Sequence, residues 1–172
     1  MIRAVVARTL AVLLVAAAWS PRPVRADAVV GPGTADSCTE AALDAALGCG
    51  VPSGSPPVSN CAGGGAVTFN CGGAATITVT STKTISADTT IDGGSLITIS
   101  GGNSVGVFFV NAGVKFTVQN LTIANGHSAS YGGGIYNSGG PLTVTNSTFS
   151  GNSAAPGSGG DARGWPDGGK TL

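Results

Sequence analysis

Residues 133–152 read GGIYNSGGPLTVTNSTFSGN, and residues 107–126, VFFVNAGVKFTVQNLTIANG, carry the same phrase in looser form. At an offset of 26, Asn111 falls on Asn137, Phe116 on Leu142, Thr117 on Thr143, Val118 on Val144, Asn120 on Asn146 and Thr122 on Thr148. An offset of 19 sets Ile91 on Val110, Asp92 on Asn111, Ile97 on Phe116, Thr98 on Thr117 and Ile99 on Val118. The excess of seven residues in the longer period is assigned to HSASYGG (127–133). Further back the match loosens: Ile77 and Val79 lie 20 residues before Ile97 and Ile99, and Phe69-Asn70 lies 22 before Ile91-Asp92. Self-similarity of this length marks a solenoid, in which each repeat buries its apolar face only against its neighbours.

Short Val-, Ile- and Thr-rich runs broken by Gly and Asn make strands and tight turns, not helices. The expected fold is therefore all-β, a right-handed parallel β-helix of about four coils over residues 66–154. Side chains alternate across a strand. Ile77/Val79, Ile97/Ile99, Phe116/Val118 and Leu142/Val144 are expected to point inward as aliphatic stacks, and Thr78, Thr98, Thr117 and Thr143 to form an outward face. Asn70, Asp92, Asn111 and Asn137 are expected at one set of corners and Asn120 and Asn146 at another, as a ladder satisfying backbone groups that no strand reaches. Charge is scarce (9% of the chain) because like charges stacked at the ~4.8 Å strand spacing repel.

The first 26 residues place Arg3 and Arg8 before an apolar run from Leu10 to Trp19 and small residues near Ala26. That order is a secretory signal, and the run is too short for a comfortable ~20-residue span. The expected location is secreted, extracellular or at the cell surface, with no membrane span in the mature chain. Without the signal, four basic residues (Lys83, Lys115, Arg163, Lys170) face eight acidic ones, a formal −4. No basic patch remains for nucleic acid.

Cys38, Cys49, Cys61 and Cys71 are even in number, as in exported, disulfide-stapled segments. Sequence leaves their pairing open. Nesting Cys49–Cys61 inside Cys38–Cys71 is favoured because it closes the insert VPSGSPPVSN on itself and ties the leading segment to the first strand. Residues 27–65 are read as an N-terminal cap: SCTEAALDAAL (37–47) presents Ala42, Leu43, Ala46 and Leu47 on one helical face, with Ser37 and Glu40 as a capping box. Residues 155–172 abandon the pattern and are read as an irregular tail, truncated or frameshifted, of a chain that is otherwise a monomer.

GGGIYN (132–137) and FSGN (149–152) resemble the repeats of bacterial polymorphic outer-membrane proteins, and CTEAAL (38–43) and FNCGG (69–73) resemble the cap and first coil of related exported β-helix proteins. The resemblance covers residues 38–154. It implies a secreted or surface-displayed passenger and names no catalytic residue.

Three functions compete. A structural or adhesive module, contacting glycans or cell-surface proteins, fits the export signal and the polar Thr/Asn exterior. A polysaccharide lyase or hydrolase needs clustered carboxylates, yet between Cys71 and Ala154 the charged residues are Lys83, Asp88, Asp92 and Lys115. His127 sits in a Gly/Ser loop, where a solvated side chain is the simpler reading than a general base. Ice binding would use the Thr78/Thr98/Thr117/Thr143 ladder. No catalytic, metal or cofactor residue is assigned, since no reactive cluster stands out; glycine runs such as CAGGG lack the strand–GxGxxG–helix setting of a nucleotide site and read as turns. Tyr131, Tyr136 and Trp165 are read as too scattered for a sugar platform.

Overall fold

The structure, a computed structural model, describes residues 27–48, 60–61, 64–130 and 132–155. The expectations for the signal segment, for the Cys49–Cys61 bridge, for Tyr131 and for the tail beyond 155 lie outside the described residues. Strand β1 (Ala28–Val30) comes first, then a 3-10 turn (Ala35–Ser37) and helix α1 (Glu40–Ala46). The windings follow. The first is β2 (Asn60–Cys61), β3 (Gly65–Phe69) and β4 (Ala75–Thr78); the second is β5 (Lys83–Ile85) and β6 (Thr89–Ser100). Next come β7 (Phe108–Val110), β8 (Phe116–Ala124) and β9 (His127–Ser128), and finally β10 (Ile135–Asn137), β11 (Leu142–Thr145), β12 (Thr148–Ser150) and β13 (Ser153–Ala154). The pairings between windings are all parallel, forming a seven-stranded, a four-stranded and a two-stranded sheet. The chain is thus a parallel β-helix, all-β apart from one short helix.

Each long strand of the main sheet contains a bend where the backbone turns left-handed. The bend falls at Gly94 and Ser95 (φ 58° and 62°), at Asn120 (51°) and at Asn146 (48°). Asn tolerates this conformation better than other non-glycine residues because its short amide bonds locally. Asn120 and Asn146 therefore share one bend, as the 26-residue offset requires. The bend divides every rung into two apolar phrases. Before it, Val67, Ile91, Val118 and Val144 stack in register. After it, Ile77, Ile99, Ile123 and Phe149 stack.

This division corrects the 19-residue offset. Ile97 does not lie on Phe116; it pairs with Leu121, while Phe116 pairs with Thr89 and Leu142. The two phrases of a rung share one apolar-Thr-apolar pattern, so matching on pattern alone set a phrase after the bend onto one before it. The expected threonine face changes accordingly. Thr98 stacks with Thr76, Thr122 and Thr148, Thr117 stacks with Thr90 and Thr143, and Thr78 lies beside Ser100. A Thr98→Cys/Thr122→Cys pair is expected to form a disulfide, since adjacent in-register strands lie ~4.8 Å apart. Thr98→Cys/Thr117→Cys is expected not to, and a gel shift on reduction reads the difference.

Ile91, Ile99, Phe116, Val118 and Ile123 are fully buried, each contributing about 1.5–3 kcal/mol through burial. Leu142 and Phe149 in the last winding are partly exposed but pack on the same core. At the other end α1 supplies the lid, burying Leu43 and Leu47 with Ala42 and Ala46 packed beside them. Its N-cap is Thr39, whose Oγ1 accepts from Ala42 N at 3.2 Å. The expected Ser37/Glu40 capping box is absent: Ser37 donates instead to Thr34 O from the 3-10 turn, and Glu40 is used elsewhere. Cys38 and Cys71 are bridged with Cα atoms 5.7 Å apart, joining the start of the cap to the chain just beyond β3.

Candidate functional site

The asparagine ladder is not one column. Asp92 pairs with Gln119, not Asn111, and Asn137 pairs with Val110, so it stands one residue out of step with Asn111. The reason is the corner before β11, which is one residue shorter than the corner before β8. The side chains of Asp92, Asn111 and Asn137 still bond at their corners. Asp92 accepts from Asn120 Nδ2 (3.0 Å), Gln119 Nε2 (2.8 Å) and Gly94 N (2.9 Å). The Asn120 amide in particular, against an opposing push from partial burial, holds the Asp92 carboxyl below its ordinary range. Asn137 Oδ1 accepts from Gly139 N and Gly140 N, and Asn111 Nδ2 donates to Ser86 Oγ. Asn70 carries its corner by backbone, accepting from Gly33 N at 2.7 Å.

The other polar candidates are similarly engaged. Asp88 Oδ1 accepts from Lys115 N at 2.9 Å, and His127 Nδ1 lies 3.0 Å from Ser153 Oγ one winding along. The two halves of the GGGIYN/FSGN phrase meet in space. Asn152 Oδ1 accepts from Gly126 N and its Nδ2 donates to Ile123 O, closing the backbone of the preceding winding. A Cβ on Gly134 would press within 3.2 Å of Asn152 and Phe149, which explains a glycine opposite that asparagine.

Two clusters were not visible in the sequence. The first is an outward column on the four-stranded sheet, where Thr84, Phe109 and Tyr136 stand in register. The Phe109 and Tyr136 rings lie 5.1 Å apart with an interplanar angle of 32°. They flank a hollow of about 330 Å³ that Thr82 and Ser128 also line. Aligning Asn111 with Asn137 hides this pair, because it sets Tyr136 on Val110 and Phe109 on Ile135. The alternation of FFV (108–110) and IYN (135–137) carried the missing signal: in each the middle residue faces out.

The second cluster is buried. Lys83 occupies an inward position of β5, in line with Phe108 and Ile135, and is 0% exposed. Its Nζ lies 2.5 Å from Glu40 Oε1 and 2.8 Å from Asp44 Oδ1, two acids one helical turn apart on α1. Glu40 also accepts from Thr80 N and Thr80 Oγ1, each at 2.8 Å. Burial pushes the Glu40 carboxyl up, but Lys83 and the Thr80 donors outweigh it and hold the group below its ordinary value. The helix pattern hid Asp44, which reads as the polar side of the lid.

Fold and surface together define a parallel β-helix with a capped N-terminal end and an aromatic-edged hollow on one flank. The chain matches no protein-family model, no curated protein and no solved structure.

Proposed function

We propose that the chain is a non-catalytic module of an exported or surface-displayed protein, and that its flank contacts neutral glycans. The observation that carries this reading is the Phe109–Tyr136 pair beside the hydroxyl-bearing hollow. An aromatic face stacks on the C–H face of a pyranose, and hydroxyl groups around it bond the ring oxygens, which is the usual composition of a small-molecule site. The low charge of the windings favours an uncharged ligand. The carboxylates Asp88 and Asp92 are occupied in bonding turns, which supports binding over hydrolysis.

Titration with a panel of neutral oligosaccharides, followed by chemical-shift or calorimetric readout, tests the proposal. Tyr136→Ala is expected to weaken binding roughly tenfold or more, the equivalent of ~1.4 kcal/mol, while Thr143→Ala on the main sheet leaves it unchanged. Equal affinity in the two variants, or no binding across the panel, defeats the reading.

A further inference from the structure

The Lys83 cluster does more than an ion pair requires. All three groups, when ionised, place two negative charges and one positive charge in a site where Lys83 is 0% exposed and Asp44 is 3% exposed. One ammonium does not neutralise two carboxylates, and an uncompensated charge is costly in such a place. Nζ also approaches Asp44 Oδ1 to 2.8 Å, and Oδ1 has no hydrogen-bond partner in the structure. The amine and the carboxyl group are thus held in contact with no other donor occupying that oxygen.

We propose that Lys83 and Asp44 condense into an intramolecular isopeptide bond between Nζ and Cγ, with Glu40 as the proton carrier. Glu40 takes a proton from the ammonium and frees the nitrogen lone pair, which attacks Asp44 Cγ. Nζ gives up a second proton, the two protons pass in turn through Glu40 to the departing Asp44 oxygen, and that oxygen leaves as water. One N–C bond forms, one C–O bond breaks, and nothing is oxidised or reduced; Glu40 ends as it began. Folding holds the amine and carboxyl in contact, which replaces the entropy of a bimolecular encounter. Exclusion of water removes the competitor that would reverse the step. Glu40 is oriented by Thr80 N and Oγ1, and at 19% exposure it lies at the rim, where water can leave. The product ties α1 to β5 by a covalent bond and leaves a single carboxylate with its Thr80 donors.

Intact mass of the folded, purified chain after denaturation, full reduction and alkylation reads the outcome directly. The expected result is a mass one water below that of the sequence, with a branched tryptic peptide joining the segment containing Asp44 to the segment containing Lys83, uncleaved at Lys83. Lys83→Arg keeps the charge but is expected to show the full mass, and Glu40→Gln is expected to leave most molecules unlinked. A full mass for the folded wild-type chain overturns the proposal. So does a water loss that maps elsewhere, such as a cyclic imide at Asp92-Gly93. The wild-type measurement decides even where a variant does not fold.

Discussion

Lys83→Met is expected to lower the stability of the folded chain by about 3–5 kcal/mol, the cost typical of breaking a buried charge pair from one side. Methionine fills the space of the lysine stem beneath Phe108 and adapts to irregular gaps, so the loss is not that of a cavity. It comes from Glu40 and Asp44, which stay on α1 with their cation gone. Replacing Asp44 by Leu in the same chain removes the more buried of these carboxylates and is expected to recover much of the loss. Urea denaturation of the three proteins measures both effects. The pH dependence has a definite sign. Glu40 is held below its ordinary value of 4.5 in the folded chain, net of burial pushing the other way. Its contribution is therefore present above about pH 4.5 and lost as pH falls through the folded value. That acid limb should flatten in Lys83→Met. An unchanged midpoint in Lys83→Met would mean that the cap is held without this cluster. In the linked chain the same substitution removes the tether and leaves the Asp44 carboxylate buried and unpaired, so the loss does not fall below this range; the flattening of the acid limb is expected of the unlinked chain.

The architecture was legible because a β-helix writes its packing rule into every rung. Alternation alone sends Ile77, Ile99, Phe116 and Val118 inward and Thr98 and Thr117 outward, and all six face as expected. The cap was legible for the same reason, since Leu43 and Leu47 need a surface to cover. Register between windings was not. Two phrases in one rung carry the same apolar-Thr-apolar pattern, so a shift by half a rung costs nothing in pattern matching but moves Ile97 from Leu121 to Phe116. Asn120 and Asn146 are aligned correctly because both stand at the left-handed bend between in-register pairs, Gln119 with Thr145 before it and Thr122 with Thr148 after it. The aromatic-edged hollow and the buried cluster depend on register to within one residue, and for that reason neither was legible. Phe109 meets Tyr136 only at a spacing of 27, and Lys83 meets α1 only because β5 places an inward residue at the capped end of the helix, where its long stem can reach past the core.

Replacing both Cys38 and Cys71 by Ser is expected to cost about 3–4 kcal/mol, from the lost restriction on an unfolded loop spanning a separation of 33 residues. Both sulfurs are buried beside the cap, so the loss should appear first as opening of α1, not as melting of the windings. Hydrogen exchange separates the two: amides of α1 should exchange faster in the double variant, while those of β6 and β8, paired on both sides in the middle of the main sheet, change only with global stability. The Lys83 cluster sharpens the test. Two fastenings hold the same helix, so opening the cap requires both to yield. Removing the disulfide in a Lys83→Met background is therefore expected to raise α1 exchange by about the product of the two separate effects, since their free energies add in one opening. A double variant whose α1 amides exchange only as fast as the sum of the two single-variant rates would show that the bridge and the buried lysine act on different openings, and that the lid is not one cooperative unit.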